Sequence, residues 1–153
     1  MDFMAIGTEI GIALLGFLAL VVDLMLPKRE TRKGLACIML LGLLAILFFG
    51  FTQYHQGGSL TFFHGLYFVD NYALFFKQLF VTAMLFTVLF SQDYVQTMLR
   101  YRGEFYAMLM FALLGMCVLS SANDFLMAFI GLELMTISFY VLVGARLTSA
   151  DSS

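Results

Sequence analysis

Charged residues are scarce in this sequence. Only 12% of its 153 residues are Asp, Glu, Lys or Arg, whereas 62% are hydrophobic. Soluble domains carry about a quarter charged residues, so this composition excludes a water-soluble globular protein. The net charge is −2, and the eight basic residues form no tract that could follow a phosphate backbone, so we expect no nucleic-acid partner. The composition indicates an integral membrane protein that is in contact with the lipid bilayer.

Residues that bind metals or cofactors are also few. The two cysteines, Cys37 and Cys117, lie inside apolar runs without CxxC spacing or a nearby histidine, which favours a role in packing. His55 and His64 have no second ligand at metal-binding spacing. The sequence contains no glycine-rich phosphate loop, no nucleophile elbow and no pair of haem-type histidines. We therefore expect neither a cofactor, nor a metal site, nor a catalytic residue in this chain.

Long apolar runs are abundant. Five of them, each 16 to 21 residues long, are separated by more polar segments. A run of this length, with flanking residues at the interfaces, forms a helix that crosses the ~30 Å hydrocarbon core. None of the runs shows the alternation of a barrel strand. The predicted fold is therefore all-α with five transmembrane helices, at residues 5–25, 35–51, 72–90, 105–120 and 125–145.

The basic residues predict the orientation of these helices. Seven of the eight follow the first, third or fifth run, and the second and fourth connections contain none. Lysine and arginine next to short loops stay on the cytoplasmic side, which places the N-terminus outside and the C-terminus inside. Because no basic residue precedes the first run, this run does not resemble a secretory signal, and we expect it to be retained in the membrane.

The second connection contains two short runs that are typical of β-strands. Residues 60–63 (LTFF) and 66–69 (LYFV) flank His64 and Gly65, and the glycine allows a tight turn. We predict a small β-hairpin between the second and third helices. The predicted orientation places this hairpin on the outer surface of the membrane.

Glu133 is the clearest charge inside an apolar run. It is the ninth residue of the fifth run, about 12 Å from the outer end and therefore near the bilayer centre. Thr136 and Tyr140 follow at i+3 and i+7 on the same helical face. A charge at this depth costs roughly 2.5 to 3.5 kcal/mol. Either Glu133 is hydrogen-bonded to neighbours and fixes their packing, or it faces the bundle interior and carries protons. We favour the second interpretation, with Thr136 and Tyr140 in supporting roles.

Three further charges lie near the ends of apolar runs. Lys77 can extend towards the outer interface or form an ion pair, and a role in proton transfer is the alternative. Glu9 lies in the first turns of the first helix, where the helix dipole favours an anion. Asp23 precedes the basic connection and can pair with Lys28 or Arg29. We expect Glu9 and Asp23 to act as anchors.

The sequence from Arg102 onward resembles a known membrane-protein family. It reads RGEFYAMLMFALLGMCVLSSANDFLMAFIGLELMTISFYVLVGARL and is similar to the start of the antiporter-like core of NADH-quinone oxidoreductase subunit N, the bacterial counterpart of mitochondrial subunit 2 of respiratory complex I. The earlier segments LVVDLMLPKR, FVDNYALFFK and SQDYV fit the same family. The stretch GLELMTISFYVLVG resembles subunit N more than its paralogues L and M. The resemblance covers essentially the whole chain. It implies three N-terminal helices with the hairpin in residues 1–100 and the first two helices of the antiporter-like core in residues 101–153.

The resemblance also implies a function. The family consists of proton-pumping membrane-arm subunits with many more helices, in which a glutamate on the fifth helix pairs with a lysine on a broken seventh helix. Glu133 occupies the glutamate position. Because this sequence contains no such lysine-bearing helix, we expect an N-terminal fragment whose proton channel is completed elsewhere.

The resemblance implies partners and a location as well. The partners would be the antiporter-like subunit M and the small subunits K and J, in a bacterial inner membrane. The complex would be an enzyme, a proton-translocating NADH:quinone oxidoreductase, with no redox chemistry in this chain. One alternative is a subunit of a related Mrp-type antiporter or membrane-bound hydrogenase. Another is a non-catalytic membrane scaffold in which Glu133 only fixes a helix contact.

Overall fold

In the residues that it describes, a computed structural model of the chain has five α-helices and a pair of short β-strands. It describes residues 6–25, 31–55, 60–62, 65–98 and 102–150. The elements are, in chain order, α1 (Gly7–Met25), α2 (Thr31–His55), β1 (Leu60–Phe62), β2 (Tyr67–Val69), α3 (Asn71–Met98), α4 (Arg102–Ser120) and α5 (Phe125–Ala150).

All five helices are long and apolar enough to cross a membrane. The predicted all-α architecture with five spans is therefore confirmed, and the chain is a multi-pass membrane protein. Several helices continue beyond the apolar run that predicted them; α3, for example, ends at Met98 and α5 at Ala150. A lipid core offers no hydrogen-bond partner for the backbone, so the helix persists through each run. Polar flanking residues then extend it where the chain leaves the hydrocarbon.

Helix α4 lies at the centre of the bundle. It packs against α1, α3 and α5, while α2 packs against α1 and α3. Half of the residues in the α4 span are buried, against 11% of those in the α5 span. The core between the helices is formed by side chains such as Ile12, Met39, Val81 and Leu113. Helix α5 therefore lies at the edge of the bundle, with α4 as its main contact.

Two glycines set the distance between α4 and α5. A Cβ added at Gly115 would lie 2.7 Å from the carbonyl oxygen of Gly131, and a Cβ added at Gly131 would lie 2.9 Å from the backbone of Gly115 and Leu119. Contacts this short between a Cβ and a backbone atom essentially do not occur. The close approach of the two helices therefore requires glycine on both sides, as at other small-residue crossings in membranes.

The two strands lie between α2 and α3, where the sequence predicts a hairpin. They pair antiparallel, with Leu60 opposite Val69 and Phe62 opposite Tyr67. Gly65 has a φ of 92°, a left-handed conformation that glycine adopts without steric cost. Residues 63 and 64, which include the predicted turn residue His64, lie outside the described residues. The position of the strands on the outer surface of the membrane stays a prediction.

The segment around β2 also binds the turn between α4 and α5. The Phe68 amide donates to the Ser121 carbonyl at 2.9 Å, and the Asn123 amide donates to the Leu66 carbonyl at 3.0 Å. The Asn123 side chain donates to the Gly65 carbonyl at 2.8 Å. The strand pair and the α4–α5 turn therefore lie at the same end of the bundle, next to the residue from which α5 starts.

Candidate functional site

The structure places a buried ion pair at this end of the bundle. Lys77 of α3 has an exposed fraction of 0%, and Glu9 of α1 has one of 6%. The Lys77 Nζ atom lies 2.6 Å from Glu9 Oε1. Lys77 therefore does not extend to the surface of the bundle as one expectation had it, because its side chain is fully buried against an interior carboxylate. The other expectation for Lys77, an ion pair, is confirmed.

Glu9 is in the first turn of α1, as the sequence suggests for an anion at a helix N-terminus. Its main partner, however, is the ammonium group of Lys77 rather than the helix dipole alone. A buried carboxylate requires such a partner because its desolvation in an apolar interior costs several kcal/mol. The anchoring role expected of Glu9 therefore has a specific basis, which is a contact between the first and third helices.

Tyr67 of β2 completes the site. Its hydroxyl donates a hydrogen bond to Glu9 Oε1 and accepts one from Lys77 Nζ at 3.1 Å. Lys77 Nζ also lies 5.2 Å from the centroid of the Tyr67 ring, within the range of a cation–π contact. One hydroxyl and one ring thus serve both members of the ion pair. We call Glu9, Tyr67 and Lys77 the polar triad.

The tyrosine is a permanent donor in this triad. Burial raises the pKa of the Tyr67 phenol well above its usual range, and the adjacent Glu9 carboxylate raises it further. Desolvation and a neighbouring negative charge both disfavour the phenolate. The phenol therefore stays protonated through neutral and moderately alkaline pH and keeps its hydrogen bond to Glu9.

Cys117 borders the polar triad from α4. Its side chain is fully buried, as expected for a packing residue, and it is close enough to interact electrostatically with Glu9 and Lys77. Cys37 differs from the expectation because it is exposed on the surface of α2. A small sulfur side chain is apolar enough to face lipid, so it needs no place in the core.

Glu133 has a different environment. Its side chain is partly exposed on α5, and within the described part of the chain no hydrogen bond or ion pair reaches its carboxylate. The Thr136 hydroxyl donates to the carbonyls of Leu132 at 2.8 Å and Glu133 at 3.0 Å, which are backbone groups of its own helix. Tyr140 is 75% exposed. Within these five helices Glu133 and Thr136 are partly exposed, and the expected position of this polar face in the interior of a bundle stays a prediction.

The structure thus separates the four residues singled out from the sequence. Glu133, Thr136 and Tyr140 remain together on α5, while Lys77 belongs to the polar triad. Sequence reasoning missed Tyr67 as a site residue. The available signal was its place in a β-prone run, where one of two alternating faces must turn towards the protein.

Asp23 packs against the start of α4. A Cβ added at Gly103 would lie 2.2 Å from the Asp23 Cβ and 2.8 Å from the Ala19 carbonyl. The expected partners of Asp23, Lys28 and Arg29, lie outside the described residues. Among the described residues, no group of three His, Cys, Asp or Glu side chains could hold a metal ion.

Curated relatives match the chain along its whole length. It is 41% identical over 153 residues to NADH-quinone oxidoreductase subunit N of Heliobacterium modesticaldum. This match covers 100% of the chain and 32% of that protein. It is 42% identical to the subunit N of Desulfitobacterium hafniense, over 97% of the chain and 30% of the relative. The corresponding protein of Desulforamulus reducens is 39% identical, over 99% of the chain and 31% of the relative. No family model matches the chain. The resemblance to NADH-quinone oxidoreductase subunit N is confirmed, and the chain spans about a third of the length of these relatives.

Proposed function

We propose that this chain, which is similar along its whole length to NADH-quinone oxidoreductase subunit N, is part of the membrane arm of a proton-translocating NADH:quinone oxidoreductase. Its location would be a bacterial inner membrane, with the N-terminus outside and the C-terminus inside. Subunits M, K and J are the expected neighbours. Electron transfer would take place in other subunits, and this chain would contribute to proton translocation.

The observation that carries the proposal is the position of Glu133. It lies eight residues into an apolar helix that begins at Phe125, about 12 Å from that end and thus deep in the membrane. An ionisable group at this depth marks a proton or ion pathway when it has no structural partner. Within the described residues the Glu133 carboxylate has none, and α5 is the least buried of the five spans. A partner for Glu133, such as the lysine that the family resemblance implies, would then come from outside this segment.

In this function Glu133 takes up and releases a proton as the charge near it changes. Thr136 and Tyr140 lie along the same helix face and would offer hydroxyl groups to water beside the carboxylate. A carboxyl group is suited to this task because nearby charges shift its proton affinity by several orders of magnitude. Lys77 would contribute less directly, since it is already paired with Glu9.

The test is a comparison of two conservative substitutions in the assembled complex. Glu133→Gln keeps the shape of the side chain but cannot ionise, so NADH oxidation should persist while proton uptake per electron falls. Glu104→Gln makes the same chemical change at an exposed residue in the first turn of α4 and should leave the coupling unchanged. Proton uptake into reconstituted vesicles and quinone reduction are measured on the same preparation. Normal coupling in the Glu133→Gln complex would remove the proton role and favour a scaffold function.

The orientation is tested independently by cysteine labelling. A single cysteine at Ser59, in a chain with Cys37 and Cys117 replaced, should react with a membrane-impermeant reagent added from outside. Neutralising Lys28, Arg29, Arg32 and Lys33 should reduce this outside labelling, because these residues supply most of the charge that holds the first connection inside. Labelling of the parent only from the cytoplasmic side would invert the proposed topology.

A further inference from the structure

Helix α5 contacts α4 through its backbone at the level of Glu133. A Cβ added at Gly115 of α4 would lie 2.7 Å from the Gly131 carbonyl oxygen and 2.8 Å from the Met135 amide nitrogen. On the other side, a Cβ added at Gly131 would lie 2.9 Å from the Leu119 amide nitrogen. We call this contact the glycine crossing. Glu133 lies midway between Gly131 and Met135 in the sequence, so the crossing supports α5 at the residue for which we propose a proton role.

The glycine crossing also sets the direction in which Glu133 points. Successive residues of an α-helix are rotated by about 100°, so Gly131 and Met135, which both contact α4, lie about 40° apart around the helix axis. Glu133 lies about 180° from the middle of this pair. The burial of α5 agrees with this geometry, since Ser138 on the α4 side is 2% exposed and Tyr140 on the Glu133 side is 75% exposed. The Glu133 side chain therefore leaves α5 on the face opposite α4.

The chain is held a second time just before α5 begins. The Asn123 amide donates to the Leu66 carbonyl at 3.0 Å, and the Asn123 side chain donates to the Gly65 carbonyl at 2.8 Å. A force that pushes α5 away from α4 at Gly131 would therefore make the helix pivot about its start. Displacement in such a pivot grows with distance from Asn123. Because Glu133 lies two residues beyond Gly131, it would move at least as far as Gly131 does.

A methyl group at the glycine crossing would displace Glu133 by a distance that matters for proton transfer. Ordinary contacts of a Cβ begin at 3.4 Å, so the separations of 2.7 and 2.9 Å fall short by about 0.7 and 0.5 Å. The atoms in the way belong to helix backbones, which cannot move aside singly, so the helices must separate by about this distance. Proton transfer requires a heavy-atom distance of about 2.6 to 3.2 Å, a range that is about 0.6 Å wide. The displacement is therefore as large as the whole range.

We propose that Gly115 and Gly131 are positioning residues for the proton on Glu133. The glycine crossing holds α5 at the depth and rotation at which the Glu133 carboxyl group reaches its proton donor and acceptor on the face away from α4. The glycines take no part in proton transfer and act only through the position of Glu133. This inference rests on the proposed function, because it assigns the two glycines a role in the proton step at Glu133.

Two other glycines provide controls. A Cβ added at Gly16 of α1 would lie 3.3 Å from side-chain atoms of Met110 and Phe111. Because side chains can yield by a few tenths of an ångström, Gly16→Ala adds a methyl group to another contact of α4 without pushing two backbones apart. A Cβ added at Gly144 of α5 meets nothing within 4 Å. Gly144→Ala therefore controls for the higher helix propensity that alanine gives to α5.

The test measures proton uptake per electron in the assembled complex, reconstituted into vesicles. Gly115→Ala and Gly131→Ala should each lower this ratio while quinone reduction continues, by at least about half of the fall that Glu133→Gln causes. Gly16→Ala and Gly144→Ala should leave the ratio at the parent value. A lower amount of complex does not change the ratio, since it is measured per electron. A normal ratio with both crossing glycines substituted in turn, or an equal fall with Gly16→Ala, would overturn the proposal.

A combined substitution separates positioning from general disruption. Residues that act through one another have non-additive effects. In a Glu133→Gln complex, Gly131→Ala should therefore cause no further fall in the ratio, because the carboxyl group that it would displace is absent. A further fall would mean that the crossing supports proton uptake without Glu133 and would contradict the proposed role. Loss of the assembled complex with both Gly115→Ala and Gly131→Ala would assign the crossing to folding and would also overturn the proposal.

The same measurements distinguish this inference from the proposed function. A normal ratio in the Glu133→Gln complex would remove the proton role of Glu133, and the positioning role with it. A low ratio in the Glu133→Gln complex, together with normal ratios in the Gly115→Ala and Gly131→Ala complexes, would leave the proposed function intact and overturn the positioning role alone.

Discussion

Glu9 and Glu133 are both carboxylates in apolar helices, yet they differ in burial and in hydrogen-bond partners. Glu9 is buried and bound by residues from β2 and α3. Glu133 is partly exposed, and its carboxylate has no partner within the described residues. The comparison shows that the first carboxylate has its charge balanced inside this segment, whereas the second is presented on its surface. Within the described residues, the same residue type is thus paired at one position and unpaired at the other.

Removing the cation from the paired site should give the largest effect. Lys77→Met fills a similar volume but leaves Glu9 buried without its counter-charge, which should lower the free energy of unfolding by about 3 to 5 kcal/mol. Unfolding in detergent by added denaturant measures the loss. The double substitution Glu9→Gln with Lys77→Met should recover most of it, because no unpaired charge remains. A Lys77→Met chain as stable as the parent would mean that the ion pair does not stabilise the fold.

The attachment of α5, and with it the surface position of Glu133, depends on the glycine crossing. Gly131→Ala would place a Cβ 2.9 Å from the backbone of α4, so the helices must move apart, at a cost of about 1 to 3 kcal/mol. Gly144→Ala on the same helix is the matched control, since a Cβ there meets nothing within 4 Å. Because alanine has a higher helix propensity than glycine, the control should leave the free energy of unfolding unchanged or slightly higher. Equal effects of the two substitutions would show that close α4–α5 packing is not needed.

The tyrosine of the triad should contribute less than the lysine. Tyr67→Phe removes the hydrogen bond to the Glu9 carboxylate and the one from Lys77 but leaves the ion pair, so we expect a loss of about 1 to 2 kcal/mol of unfolding free energy. Tyr140→Phe makes the same change at a residue that is 75% exposed and should have almost no effect. Denaturant titrations of both variants measure the two losses of unfolding free energy. A larger loss for Tyr140→Phe would show that the Tyr140 hydroxyl, and not that of Tyr67, stabilises the fold.

The smallest change in stability is expected at the unpaired carboxylate. Glu133→Gln breaks no contact of the described structure, so the free energy of unfolding should change by less than about 0.5 kcal/mol. Glu9→Gln, by contrast, leaves Lys77 buried without a counter-charge and should be clearly destabilising. Thermal unfolding of the two variants side by side is sufficient. If both were equally destabilising, Glu133 would have a structural role that the contacts of this segment do not explain.

The helices could be predicted from the sequence because their signal is local. Length and hydropathy decide that each run spans the membrane, and neither depends on distant residues. The position and the partner of the Lys77 ammonium group could not be predicted in this way. Whether a lysine extends to the interface or pairs in the interior depends on what faces it, and Glu9 and Tyr67 come from other elements. Helical periodicity identifies the residues that share a face with Glu133, but it gives no information on which neighbour covers that face.

The distance of the triad partners along the chain has a consequence for synthesis. Glu9 belongs to α1, which is made before the other described helices, and Tyr67 follows 58 residues later, with Lys77 in α3. At translation rates of about 5 to 20 residues per second, the carboxylate waits on the order of seconds for both partners. During that interval α1 carries an acid without the cation that neutralises it in the folded chain. The insertion of α3 therefore determines when α1 can form its ion pair, and a delay in that insertion would leave α1 without this contact.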